Sequence, residues 1–208
     1  MNYRIDDFLK ADKLYSVIIE QGLQIKMKIT NLQDTLDHWR NKIETANKDT
    51  SLLTQKGQTF ELLMTMDQNN FYYLQWEIDK LDFLIKKYRL EPEALLFKDI
   101  QSTFADREIN ESHLPFALIN NDPIIVAFCN QVRPPFAVVD GNHRVAARYR
   151  AGIHEIQAYI LPPSLHLQGM TTDTYKILFA IHYNITFICD VISGHITMDQ
   201  FMQRRIPI

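Results

Sequence analysis

The chain has 208 residues, 46% of them hydrophobic and 23% charged, with a net charge of −3 at pH 7. That balance is typical of a folded protein with length for one domain and an appendage. It excludes a chain drawn as a whole to DNA or to an anionic membrane surface, so any phosphate binding has to be local.

The N-terminal residues lack the apolar run of a signal peptide, and the longest apolar stretch, 175–192, is interrupted by Lys176, His182, Asn184 and Asp190. Cys129 and Cys189 sit in separate apolar runs and do not make a disulfide framework. The expected setting is therefore the cytoplasm, with no membrane span and with reduced, buried thiols.

Residues 8–46 carry apolar side chains seven apart: Ala11, Ile18, Ile25, Leu32, Trp39 and Ala46 form one series, and Phe8, Tyr15, Gly22, Ile29, Leu36 and Ile43 another. This predicts one long helix. Leu23, Ile25, Met27 and Ile29 also alternate with polar residues, which is the pattern of an amphipathic strand, but the helical spacing continues on both sides. Turn-forming residues at 48–58 interrupt the pattern. A second 4,3 series follows in Phe60, Met64, Phe71, Leu74, Ile78, Leu81, Ile85 and Tyr88, broken only by Asp67. Two such helices predict an N-terminal antiparallel helical hairpin over residues 1–91. Such an arm buries its own stripe, or serves as a protein-partner or self-association surface.

Glu91-Pro92 ends that unit, since proline disfavours the helical conformation of the residue before it. A second domain is expected over 92–208. Its opening residues 94–100 supply a strand or a helix, and 102–111 form a polar stretch that contains Glu108. Strands are predicted at 124–129 and at 136–139, antiparallel to each other, with another at 157–160 closed by Pro162-Pro163. A C-terminal helix places Leu178, Ile181, Ile185, Ile188 and Ile192 on one face.

Chemistry concentrates where the second of these strands turns into a helix, at Asp140-Gly141-Asn142-His143-Arg144. Gly141 permits a turn closed to other residues, Asn142 is expected to cap the helix, and Ala151-Gly152 closes it. His143 and Arg144 lie in the first helical turn, where free N–H groups and the helix dipole disfavour a cation unless an anion neutralises it. Two readings follow. Either the turn holds a phosphate, with Arg144 adding a planar fork of donors, or Arg144 pairs with a nearby carboxylate such as Asp140 or Glu155. No Walker loop, dinucleotide fingerprint, nucleophile elbow or zinc-ligand spacing competes with this turn.

The run Asp140-Gly141-Asn142-His143-Arg144-Val145-Ala146-Ala147, with Pro123-Ile124-Ile125-Val126 before it and Gly152-Ile153 after it, resembles the ParB/sulfiredoxin-like superfamily over roughly residues 94–161. The family contains partition proteins, sulfiredoxins and free-serine kinases. The resemblance implies an α+β protein whose second domain is a small mixed sheet of that type. It also implies nucleoside triphosphate (ATP or CTP) bound through Gly141, Asn142, His143 and Arg144, with a Mg2+ ion on Asp140. Phosphotransferase or hydrolase chemistry would then use Asp140 and Glu108, the latter as base. Asn142 stands where sulfiredoxins carry their catalytic cysteine, which argues against that activity. Too few residues follow Leu161 for the DNA-binding and dimerising parts of a partition protein. The alternative is a non-catalytic nucleic-acid or partner-binding module using Arg133, Arg144, Arg148 and Arg150, with DNA the less favoured partner.

Overall fold

The computed structural model of the protein describes residues 3–48, 57–100 and 109–208. The strands are β1 (Tyr3–Arg4), β2 (Thr59–Thr65), β3 (Phe71–Glu77), β4 (Glu93–Leu96), β5 (Ile124–Phe128), β6 (Phe136–Asp140) and β7 (Glu155–Leu161). The helices are α1 (Ala11–Glu20), α2 (Leu32–Lys48), α3 (Ile78–Tyr88), α4 (Leu114–Ile119), α5 (Asn142–Arg150), α6 (Pro163–His166), α7 (Asp173–Ile192) and α8 (Met198–Arg204). The fold is α+β, as the sequence predicts.

The helical hairpin expected over 1–91 is not present, and both of its arms are corrected. The first arm breaks after α1, where Gly22 takes φ +75°, a conformation glycine adopts without a Cβ clash. The chain then runs without regular structure until Asn31, and Lys26 N and Met27 N donate to the carbonyl of Ile192 at 2.9 and 3.1 Å. Within α2 the expected stripe holds, with Leu32, Leu36, Trp39 and Ile43 all buried.

The second arm is a β-hairpin that leads into α3. The residue that interrupts its helical series is the centre of the turn: Asp67 Oδ1 accepts from Asn69 N, Asn70 N and Asn70 Nδ2, each at 2.8 Å. Aspartate and asparagine favour such turns because their side chains satisfy the local backbone. In β3 the buried residues are Tyr72, Leu74 and Trp76, an alternation of two rather than a seam of seven. A self-association surface built on a two-helix arm loses its basis with the hairpin.

The chain divides into two compact units, and the division does not fall at 91/92. One unit takes the described residues of Met1–Gln55, Leu62–Gln75 and Thr171–Ile208, the other those of Lys56–Glu61 and Trp76–Met170. In the first, α1, α2 and α7 bury Leu14, Ile18, Leu36, Trp39, Phe179, Ile181 and Ile185. The threonine before α7 caps it, Thr172 Oγ1 accepting from Tyr175 N at 3.3 Å. This helix has the length and hydropathy (1.3) of a membrane span, but half of that stretch is buried within the protein, as in a core helix.

The second unit holds a four-stranded mixed sheet in the order β4-β7-β5-β6. Strands β5 and β7 run parallel; β4 and β6 pair antiparallel with β7 and β5. The near-continuous apolar run of β5, buried from Ile124 to Ala127, suits a strand covered on both faces. Leu95, Ile124, Val126, Val138, Ile156 and Ala158 from the sheet join Phe97, Ile100 and Val145 in one core cluster. Val145 anchors α5 to that core, and so fixes the turn at the end of β6.

Candidate functional site

Strand β6 ends at Asp140, and Gly141 turns the chain at φ +94°, ψ 19° into α5. A Cβ at this position would collide with the side chain of Ile124 and lie 3.0 Å from Arg144 Nη2. Glycine is therefore required both by the backbone angle and by the close approach of β5. Gly141, not Asn142, occupies the cap position, so the expected asparagine cap is corrected: Asn142 is the first helical residue, and no side chain caps the helix. The first helical bond runs from Val145 N to Gly141 O at 3.0 Å. The N–H groups of Asn142, His143 and Arg144 accordingly have no acceptor within the helix.

Arg144 turns back across the strand ends. Its Nη1 donates to the carbonyls of Asp122 (2.8 Å) and Pro123 (3.0 Å), and its Nη2 to Asp140 Oδ2 at 2.6 Å. Of the two readings of Arg144, carboxylate pairing is the geometry observed, with Asp140 as partner. Glu155 lies instead opposite Leu96 in the β4–β7 ladder. The pair brackets the start of β5 to the end of β6 and offsets the cost of a cation at the positive end of a helix.

His143 Nε2 accepts from Asn110 N at 3.2 Å, which places the ring proton on Nδ1. Its ring lies 5.4 Å from that of His113. On the same segment, Glu111 receives both ends of the Arg150 fork at 2.5 and 2.9 Å, and this hydrogen-bonded pairing holds the Glu111 carboxyl below its ordinary range. The carboxyl of Asp82 is displaced upward, first by burial, with Asp79 and Asp140 adding repulsion and Lys86 and Arg144 opposing it.

A pocket of about 540 Å³ opens onto this turn, lined by Asp140, Gly141, Asn142, His143 and Arg144 together with Gln58, Phe60, His113, Phe116, Ala117, Asn120, Asp122 and Val139. Its size lies within the range of roughly 300–1,000 Å³ common to small-molecule sites. The structure thus brings together five of the six residues singled out in the sequence; Glu108 lies outside the described residues. The contributions of Gln58, Phe60 and Phe116 were not legible, because they come from segments whose local patterns show only a strand edge or a short apolar helix. The one available signal was the turn cluster Asn120-Asn121-Asp122-Pro123, which delivers Asp122 to the site.

The residues suit a phosphate group in two respects. The N–H groups at the helix start, which have no acceptor within the helix, can donate to it, and the glycine allows close approach. For Mg2+ the fit is narrower. No group of three or more His, Cys, Asp or Glu side chains able to hold a metal exists among the described residues. A Mg2+ carried by phosphates needs only one or two carboxylates, and Asp140, with one oxygen committed to Arg144, is the lining carboxylate next to the turn.

The four arginines expected as a basic patch are each engaged within the chain. Arg133 donates to the carbonyls of Asn130 and Val132, Arg148 to Asn120 O and Asn121 Oδ1, Arg150 to Glu111, and Arg144 as above. No family model, curated protein or solved structure matches this chain.

Proposed function

We propose that the protein binds a nucleoside triphosphate, ATP or CTP, with its phosphates against the N–H groups of Asn142, His143 and Arg144. The observation that carries this reading is a pocket of ligand size opening on an uncapped helix start whose entry residue is a close-approach glycine. The resemblance of 140–147 to the ParB/sulfiredoxin-like motif supports it, and so does the helix dipole, which favours an anion there. In this reading Arg144 is a positioning residue: it holds Asp140 and the β5 entry in place and keeps one positive charge beside the phosphates. Mg2+, when bound, would neutralise phosphate charge next to Asp140 and Asp122, which otherwise repel it. Phosphotransfer or hydrolysis would further require a base in the role assigned to Glu108.

The engaged arginines weigh against the nucleic-acid alternative, since counterion release needs cations available to the backbone. The same reading places the protein in the cytoplasm. Burial pushes the Cys129 thiol up to about 12 and the Cys189 thiol up to about 11, so neither ionises readily. Calorimetric titration of ATP and CTP, with Mg2+ and with chelator, tests the proposal. Saturable binding strengthened by Mg2+ is expected; no heat with either nucleotide under both conditions would end it.

A further inference from the structure

The pocket lining has two chemically different ends. Around the start of α5 it offers N–H donors and charged groups. Along α4 it offers carbon: within Leu114–Ile119 only Ala117 is buried, and Phe116 stands 73% exposed while lining the pocket. A phenylalanine left this open wets one of the largest apolar surfaces a side chain can carry. Phe116 also makes no ring contact with another described aromatic residue. Phe60 lines the same pocket and is backed by fully buried Trp76, ring centroids 6.2 Å apart and planes inclined at 34°. One aromatic wall is therefore fixed from behind and the other is open.

The two residues that flank α4 are each held to a residue of α5. The His113 ring meets that of His143, and Arg148 Nη2 donates to Asn120 O at 3.0 Å. The apolar helix thus lies alongside the phosphate-binding helix, and one molecule can reach both. A ligand complementary to this lining has an anionic end and a flat, weakly polar end. We infer that Phe116, with Phe60, is the platform for the base of the nucleotide whose phosphates sit at α5; the inference rests on the phosphate reading above. Stacking on a phenyl ring uses the π-face that every base has, so it discriminates weakly among bases. Apart from Asn142 at the phosphate end, the lining carries two amides, Gln58 and Asn120, which supply what edge recognition there is. Asn120 Oδ1 already accepts from Asp122 N at 2.7 Å, which leaves its NH2 group as the donor for a base acceptor.

The test separates base from phosphate. ATP and inorganic tripolyphosphate are titrated, each with Mg2+, into the parent protein, Phe116→Ala and Phe116→Trp, and the sedimentation of all three is measured. The parent is expected to bind ATP about 5- to 150-fold more tightly than tripolyphosphate, the range that one base–aromatic stack supplies. Phe116→Ala should lose most of that ratio with tripolyphosphate affinity unchanged, and Phe116→Trp should keep it. Because Phe116 is exposed, both variants should melt with the parent. Equal affinity of the parent for ATP and tripolyphosphate, or an unchanged ratio in Phe116→Ala, overturns the base platform and leaves the phosphate site standing. Failure of both ligands to bind the parent removes the phosphate reading and the platform with it. An unchanged ratio together with a lower association state in Phe116→Ala assigns the exposed face to a second copy of the chain and overturns the inference.

Discussion

Replacing Arg144 with alanine removes three hydrogen bonds at once, one to the Asp140 carboxylate and two to the carbonyls of Asp122 and Pro123. Hydrogen bonds to a charged group contribute roughly 1.5–3 kcal/mol each, and the Asp140 charge is left without its partner. Two effects reduce that sum. The side chains of Arg144 and Asp140 keep 13% and 28% of their exposure, so water recovers part of the loss. Removing a cation from a helix start also returns roughly 0.3–1 kcal/mol. The net expectation is a destabilisation of about 2–4 kcal/mol, which for a chain of this size lowers the urea midpoint by roughly 1 M. Equilibrium urea unfolding of the parent, Arg144→Ala, Asp140→Asn and the double variant measures the loss and the coupling. The two single changes should be strongly non-additive, with a coupling of about 1–3 kcal/mol. A stable Arg144→Ala, or additivity within roughly 0.5 kcal/mol, would refute the bracket and return Arg144 to the pool of free ligand donors.

Two glycines make a matched comparison. Gly22→Ala faces open space and meets only the strain of a positive φ, about 1–2 kcal/mol, whereas Gly141→Ala meets that strain plus collision with Ile124, about 2–5 kcal/mol in total. Equal losses in urea would show that the β5 approach is not tight. Stability should also fall in acid. His166 is buried and His182 half-buried, and loss of water around the rings lowers both to about 4 from an ordinary 6.5. Because the unfolded chain takes up these protons first, their contribution is full above pH 6.5 and is lost as pH falls toward 4. At roughly 1.4 kcal/mol per unit the loss amounts to about 3 kcal/mol per ring at most. Unfolding free energies that stay level between pH 7 and 4.5 would contradict this.

Where an element is set by neighbours along the chain, the residues alone determine it. The apolar runs of β5 and β6, the glycine turn at 141, the helix Asn142–Arg150 and the long helix Asp173–Ile192 were all legible, because strand periodicity, turn conformation and helix-face spacing are properties of a few adjacent residues. So was the site as a stretch of sequence, though not as a pocket. Residues 60–77 were misread because Phe60, Met64, Phe71 and Leu74 satisfy a helical spacing as well as they satisfy a strand. Only pairing of β3 between β1 and β2 decides which side is buried, and Asp67, the one discordant residue, marked the turn. Gly22 likewise cut a helix that the stripe on either side appeared to continue. The partner of Arg144 was a tertiary decision too. A guanidinium fork can serve Asp140, Glu155 or a ligand equally well on paper. What selects Asp140 is that the sheet sends Glu155 to pair opposite Leu96 and brings the carbonyls of Asp122 and Pro123 to the same fork, since a planar group with fixed donors goes where several acceptors converge.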